Sequence, residues 1–342
     1  MSPTSGTIVT RPFFTQLDPR ARIRGSRDPL GLQPVWTAFG RRVVSNLTTV
    51  SSSLRNFTTV LIARYFADRA LEEGIISHEG YLPAFLKVEQ LCAYSRVAHR
   101  PEDSDLDEDE IRGIQRVSTR LLDGEIRISG RDKWQILSDQ KTYGLWGLYT
   151  VASATSGLLE KDHSRLSPVA RAFMEEHYLP RLPEKGKSVI IYLEKDDWEF
   201  TPRRNDKKLA IALAEIHSPS LSQAEQDLYT HHLLHSGDDK CLQARLWDQI
   251  RSLNSRNGFS LHKPFSEPEL LELVKRTSTA EPELSHKLES INHVEAYFAP
   301  LGYLFSFLLD RDGQSLNDTA AELQSAWGKN PIRTSPEHFG ST

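Results

Sequence analysis

The sequence predicts a mainly α-helical protein with a helical N-terminal region, a small central β-hairpin between helices, and a helical C-terminal domain. Apolar residues recur at spacings of three and four over most of the chain, whereas the alternating pattern of half-buried strands is confined to short segments. A chain of 342 residues is also longer than one hydrophobic core usually serves, which favours more than one domain.

The stretch Gln140–Tyr178 carries the clearest pattern. Its first half has helical spacing and ends at Gly157, a residue type that commonly terminates helices. Leu158–Glu160 and Arg165–Ser167 then predict two short strands around a polar turn, and Pro168 opens a second helix. This order resembles a winged helix-turn-helix domain, which implies a recognition helix and a small β-hairpin wing. The alternative is an ordinary helix, hairpin and helix within a larger core.

The predicted recognition helix has one inward and one outward face. The inward face consists of Leu145, Leu148, Ala152 and Thr155. The outward face and the wing supply candidate residues for binding a partner or nucleic acid, namely Lys141, Tyr143, Trp146, Thr150, Ser153, Lys161 and Arg165.

A helix that reads DNA bases usually presents Arg, Lys, Asn or Gln, and the outward face of this helix is charged at Lys141 alone. We therefore expect the winged helix to dock mainly a partner protein, with Trp146 as an anchor. DNA binding is expected to be weak, salt-sensitive and not sequence-specific. The alternative is that Trp146 packs against the helix predicted over Thr37–Glu73.

A basic arm precedes the folded region. Residues 20 to 42 contain six arginines against one acidic residue. Such an arm attracts phosphate backbones or an acidic protein surface; alternatively, it packs on its own domain. The candidate binding residues are Arg22, Arg24, Arg27, Arg41 and Arg42.

The segments Asp28–Trp36 and Gly40–Arg42, followed by a Ser- and Thr-rich helix, resemble uncharacterised bacterial proteins from multi-gene clusters of the anti-phage type. The resemblance implies a subunit of a multi-protein defence system that works with other protein subunits. It carries no residue with a known chemical role.

Common enzyme motifs are missing from the sequence, including the P-loop, GxGxxG, GxSxG and HExxH. We therefore favour a non-catalytic subunit without a cofactor or metal. The alternative is a metal-dependent nuclease or other hydrolase with dispersed acidic ligands. Its candidate ligands are Asp196, Asp197 and Glu199 beside Lys195, and a second set with metal-binding residue types is His231, His232 and His235.

The composition narrows the range of expected binding partners and cellular compartments. With 42 basic and 46 acidic residues the net charge is −4, so any contact with nucleic acid must be local. Cys92 and Cys241 lack the spacing of a paired-cysteine motif, which fits a reducing cytoplasm. No apolar run reaches the roughly 18 residues that a membrane span requires.

The chain divides by composition and turn residues into a tail (1–19), a basic arm with helices (20–104), the winged helix (105–180), a C-terminal helical domain (181–310) and a polar tail (311–342). Ser104 is predicted to cap a helix that ends near Leu122, with the acidic run around it complementing the helix dipole. Glu125–Ser129 is predicted to pair with the wing, and Pro300 to kink or break the last strong helix.

Overall fold

The computed structural model describes residues 28, 30–48, 50–100, 111–163, 165–235, 241–257 and 266–327, with the backbone alone at 254–257. The protein is mainly helical, as predicted, and this part of the chain has a two-stranded sheet of β1 (Arg127–Ser129) and β2 (Asp197–Glu199). Two compact units are present, Phe39–Asn292 and Met1–Ala38 with His293–Thr342. The helices are α1 (Gln33–Gly40), α2 (Leu54–Glu72), α3 (Tyr81–Ala98), α4 (Ile114–Asp123), α5 (Gln140–Tyr143), α6 (Leu145–Thr155), α7 (Pro168–Phe173), α8 (Lys187–Glu194), α9 (Lys207–Ile216), α10 (Gln223–Tyr229), α11 (Leu242–Asn257), α12 (Glu267–Ala280), α13 (Pro282–Leu309) and α14 (Leu316–Trp327).

Helix α2 lies at the centre of the larger unit. Residues 55–68 are all buried, so no side of the helix faces solvent over about four turns. The helix packs against α3, α6 and α8. A helix buried on every side is usually apolar throughout, but α2 also carries polar side chains that find hydrogen-bonding partners inside the protein. These are Arg55, Asn56, Thr58, Thr59, Arg64 and Asp68.

The prediction of a single helix over Thr37–Glu73 is wrong, because the chain turns between α1 and α2. Ser51 shows the cause. Its hydroxyl accepts a hydrogen bond from the Thr48 N–H at 2.8 Å and donates one to the Thr48 carbonyl at 3.0 Å. Hydroxyl groups that bond the local backbone compete with helix formation, so this Ser- and Thr-rich segment forms a turn before α2.

The predicted pairing of Glu125–Ser129 with the wing is also wrong. The strand forms as β1, but it pairs antiparallel with β2, where Ile128 lies opposite Trp198. The predicted wing is a hairpin closed by a bridge between Leu159 and Leu166. Pairing with β2 places Ile128 and Trp198 in the core. The helix, hairpin and helix are therefore present, while the three-stranded wing is not formed in the described residues.

A continuous hydrophobic cluster extends from Phe57 in α2 to Leu233, just after α10. It contains residues of the three regions that the sequence assigned to separate domains, 20–104, 105–180 and 181–310. The boundaries predicted after residues 104 and 180 therefore do not separate hydrophobic cores, because α2 supplies buried surface to elements on both sides of them.

A smaller cluster joins α11, α12 and the first part of α13 within the same unit. Its buried members are Val43, Ile250, Leu253, Leu273, Leu284 and Leu288. The capping boxes predicted from the sequence are confirmed here and at α10. Ser222 caps α10 together with Glu225, and Ser266 caps α12 together with Glu269.

Three other predictions change in the structure. The helix predicted from Ser104 begins instead at Ile114, directly after Gly113 in the left-handed region with φ 74°, and Ser104 lies outside the described residues. Helix α13 continues through Pro300 without a break. The polar tail predicted after residue 310 contains α14, where the Asp318 N–H donates to the Ser315 hydroxyl at 3.2 Å as an N-terminal cap.

Candidate functional site

The start of α6 is held by a buried carboxylate from α3. Oε1 of Glu89 accepts a hydrogen bond from the Leu145 N–H at 2.8 Å, and its Oε2 accepts one from Nε2 of Gln140 at 2.8 Å. Two glycines permit this tight joint between α5 and α6. A Cβ on Gly144 would lie 2.3 Å from the Gln140 carbonyl oxygen, and one on Gly147 would lie 2.1 Å from that of Thr142. The position of α6 on the core is therefore fixed at its first turn.

Burial raises the pKa of Glu89 to about 7, although hydrogen bonds from Gln140 and Leu145 and the charge of Arg112 act in the opposite direction. A cavity of about 10 Å³ lies beside this carboxylate and is also lined by Arg96 and Arg112. This volume accommodates about one water molecule. The group thus anchors α6 from a buried position.

The middle of α6 covers a fully buried arginine. The guanidinium carbon of Arg64 lies 4.0 Å from the ring centroid of Trp146, and the rings of Tyr81 and Phe85 lie at 5.6 Å and 5.5 Å. Nη2 of Arg64 also donates to the Thr150 hydroxyl at 3.1 Å. The cation–π contacts and this hydrogen bond satisfy a charge that would otherwise be costly to bury.

The outward face predicted for α6 is therefore wrong in part. Trp146 and Thr150 are half-buried over Arg64, and Ser153 is fully buried. Thr155, which was predicted to point inward, is exposed. The helix is rotated because Arg64 draws Trp146 and Thr150 toward α2, and the alternative stated for Trp146, packing against that helix, describes the structure.

Replacing Trp146 with alanine is expected to lower the free energy of unfolding by about 3 kcal/mol, since it removes the ring that covers Arg64. Urea denaturation followed by circular dichroism measures this loss. Tyr143→Ala is the matched control, because Tyr143 is an aromatic residue just before α6 with 59% of its surface exposed. Equal stability of the two variants would contradict the role of Trp146 as a cover.

The hairpin after α6 is tied to the end of α2. The Leu166 N–H donates to Oδ2 of Asp68 at 3.0 Å, and Tyr81 donates to Oδ1 of the same carboxylate at 2.6 Å. Arg165, a candidate phosphate contact, lies 3.4 Å from Glu72, which also pairs with Arg171 at 2.7 Å. Arg165 is thus engaged within the protein, whereas Lys141 and Lys161 are exposed.

The surface that α6 presents to solvent carries no charge. Its exposed positions are Gly147, Val151 and Thr155, and Tyr143 lies one turn before them. Tyr143 and Val151 expose 59% and 52% of their surfaces. We call these four residues the α6 face. Val151 was not predicted to be a surface residue. It lies four residues from both Gly147 and Thr155, a spacing that places the three residues on one face of the helix.

The basic arm is described in part. Arg22, Arg24 and Arg27 lie outside the described residues. Arg41 and Arg42 are exposed, and the guanidinium carbon of Arg42 lies 4.3 Å from the ring centroid of Phe39. Binding by the arm remains a prediction for all five of its candidate residues.

Two of the three carboxylates considered for a nuclease, Asp196 and Asp197, form ion pairs with arginines. Asp197 lies 2.7 Å from Arg127 and 3.7 Å from Arg131, and Asp196 lies 3.3 Å from Arg131. No group of three or more His, Cys, Asp or Glu residues suited to a metal occurs within the described ranges.

The histidine set has a structural role at its centre. His232 is buried, and its Nδ1 donates to the Ser156 carbonyl at 2.8 Å, which holds the end of α6. Burial lowers the pKa of His232 below its ordinary value. The neutral ring therefore fastens α6 to the segment after α10 at neutral pH.

The sequence did not reveal the charged network between α2 and α10. Nη1 of Arg55 lies 2.5 Å from Oε1 of Glu225, which also accepts a hydrogen bond from Tyr178 at 2.7 Å. Burial alone would raise the pKa of Glu225, but hydrogen bonds from Tyr178, Ser222 and Arg55 outweigh it and lower the pKa. The signal available in the sequence was the presence of Arg55 and other polar residues on a helix of otherwise apolar character.

Two further results concern membrane spans and similarity to known proteins. Among the helices of the described ranges, none is both long and apolar enough to cross a membrane. Comparison of the chain with known protein families, curated proteins and solved structures gave no match.

Proposed function

We propose that the chain is a non-catalytic subunit that binds a partner protein through the α6 face. The observation that supports this most directly is the uncharged, partly apolar character of that face. Charged residues are depleted at the centre of protein interfaces, where tyrosine is enriched. A nucleic-acid surface would instead present cations to phosphates and hydrogen-bonding side chains to bases.

The attachment of α6 to the core supports the same proposal. Glu89 fixes its start, Arg64 its middle and His232 its end. A rigid interface loses little conformational entropy on binding, so a small exposed face can contribute a larger share of its contact energy to affinity. We further propose that the partner belongs to a multi-protein bacterial defence system, a proposal that rests on the resemblance of Asp28–Trp36 and Gly40–Arg42.

Replacing Val151 with glutamate is expected to reduce partner binding at least tenfold, because it places a charge in the centre of the face. The tagged protein is co-expressed with the products of its neighbouring genes, and the co-purified protein is quantified. Ile191→Glu is the matched control, since Ile191 on α8 has 54% of its surface exposed against 52% for Val151. Both variants are expected to unfold at the wild-type temperature.

Nucleic acid is the second candidate partner, and fluorescence anisotropy with random DNA and RNA duplexes tests it in the same preparations. Wild-type protein is expected to bind them weakly and to lose that binding as salt rises. The proposal is overturned if Val151→Glu retains the partner as well as Ile191→Glu does, or if the wild type still binds the duplexes tightly at high salt.

The alternative function is a metal-dependent nuclease, which predicts a different experimental result. It requires cleavage of DNA or RNA with Mg²⁺ or Mn²⁺ that is lost in Asp197→Ala. The pairing of Asp197 with Arg127 and Arg131 speaks against it.

A further inference from the structure

A polar pocket of about 370 Å³ opens beside the segment that joins α9 to α10. Its lining comes from three places in the chain, which are Arg55 in α2, Arg181 in the turn before α8, and residues 215–225. Pockets that bind small molecules have volumes of about 300–1,000 Å³. This pocket is therefore large enough for a small ligand, and all of its lining belongs to the larger unit.

The ion pair of Arg55 and Glu225 lines the pocket from its buried side. The carboxylate of Glu225 already accepts four hydrogen bonds. Its Oε1 accepts them from Nη1 of Arg55 and the hydroxyl of Tyr178, and its Oε2 from the N–H and the hydroxyl of Ser222. Because a carboxylate has about four lone-pair sites, Glu225 has no capacity left for a hydrogen bond from a ligand.

The open groups of the pocket are mainly hydrogen-bond donors. Arg181 is exposed, and its guanidinium forms no ion pair or hydrogen bond within the described residues. The hydroxyl groups of Ser218 and Ser220 likewise have no partner there. A guanidinium offers five N–H donors and no acceptor, and each hydroxyl adds a donor. Glu215 is the one exposed carboxylate in the lining, so the open groups favour a ligand that supplies acceptors.

The charges around the pocket favour an anion. His217 directly precedes Ser218 and is buried. Burial lowers the pKa of His217 well below its ordinary value, and the charges of three arginines lower it further. These are Arg96, Arg55 and Arg181. Three cations that act on one ring indicate a positive potential beside the pocket.

We propose that this pocket binds a phosphate group through Arg181 and the hydroxyl groups of Ser218 and Ser220. A guanidinium matches the oxygens of phosphate, and such charge-assisted hydrogen bonds are about twice as strong as neutral ones. A phosphate monoester presents three strong acceptor oxygens, one for each of these side chains, whereas a carboxylate has only two oxygens.

The phosphate group has two possible sources, free phosphate and a phosphate monoester, because the pocket also leaves room for an organic part of the ligand. The site uses none of the residues of the α6 face and goes beyond the proposed function. Val151→Glu should therefore lose the partner protein and retain phosphate binding.

The test is isothermal titration of the full-length protein with inorganic phosphate and with glycerol 3-phosphate, at constant ionic strength. The titration extends to about 20 mM, where a site with a dissociation constant near 1 mM is almost fully occupied. Wild-type protein is expected to bind one molecule per chain. Tighter binding of glycerol 3-phosphate identifies a phosphate monoester as the ligand, equal affinity identifies free phosphate, and glycerol alone should not bind.

Three variants test the location and the sign of the charge. Arg181→Gln is expected to raise the dissociation constant at least about tenfold, because it removes the cation and leaves Arg55 with Glu225. Glu215→Gln is expected to lower it about threefold, because it removes a carboxylate that repels the ligand. Arg203→Gln is the matched control, since it makes the same charge change at an exposed arginine outside the pocket and should bind like the wild type.

Ser218→Ala tests the site at a second position in case Arg181→Gln does not fold, and it should raise the dissociation constant about threefold. The proposal is overturned if wild-type protein binds neither compound, or if the folded pocket variants bind as tightly as the wild type. Equal losses in Arg181→Gln and Arg203→Gln would reveal attraction to surface charge alone and overturn it too. Weaker binding by Glu215→Gln would show that the pocket selects a cation instead.

Discussion

Replacing Arg55 with methionine is expected to lower the free energy of unfolding by about 3–5 kcal/mol. The side chains of Arg55 and Glu225 expose 6% and 2% of their surfaces, so the pair is almost fully removed from water. Methionine preserves much of the volume but leaves the carboxylate of Glu225 buried without its cation. Urea denaturation of the single variant and the wild type measures the effect.

Two companion variants identify the cause of this loss. Arg55→Met combined with Glu225→Gln removes both charges and should be more stable than Arg55→Met alone, because no uncompensated charge remains. Lys287→Met breaks the exposed pair of Lys287 and Glu283, where Glu283 is 69% exposed, and should lower the stability far less than Arg55→Met does. If Arg55→Met were no more harmful than Lys287→Met, the buried pair would not stabilise the fold as inferred.

The stability contributed by Glu89 is expected to fall by about 3 kcal/mol as pH rises from about 4.5 to about 7. The pKa of Glu89 is about 7 in the folded protein, against an ordinary value of 4.5. Between these values the folded chain retains a proton that the unfolded chain has released, so raising the pH favours unfolding. Below pH 4.5 both states are protonated, and above pH 7 both are ionised, so the contribution is constant on either side.

The measurement compares wild type and Glu89→Gln in urea at pH 5 and pH 8. Glutamine does not titrate, so the variant should gain about 3 kcal/mol relative to the wild type between these pH values, and all other titrating groups cancel in the difference. Glu194→Gln controls for the loss of one carboxylate at an exposed position. A stability difference that is the same at both pH values would show that Glu89 is not held in a low-dielectric interior.

Local signals predicted the helices well because they act between neighbours in the sequence. The pair Ser222 and Glu225 specifies a helix start through hydrogen bonds three residues apart, and the structure contains them. Local chemistry also explains the failure at Ser51, where hydroxyl hydrogen bonds replaced the helix that apolar spacing had suggested. Both outcomes follow from the same competition for backbone groups.

Features that depend on contacts between residues far apart in the sequence could not be predicted from the sequence. The outward face of α6 was misassigned because its rotation is set by Arg64 on another helix. The partner of β1 was misassigned because Trp198 on β2 lies far along the chain. The sequence correctly predicted that Tyr143 is exposed, whereas the exposure of Val151 could not be inferred before the rotation of α6 was known.

The position of α2 has a consequence for synthesis of the protein. Glu225 is 170 residues after Arg55, so a ribosome adding about 5–20 residues per second makes it roughly 10 to 30 seconds later. During that interval α2 can form as a helix, but its cation has no native partner and its apolar sides lack α6 and α8. We therefore expect the larger unit to complete its folding only after Glu225 has been synthesised, and we expect the nascent chain before that point to be the form most exposed to chaperones and proteases.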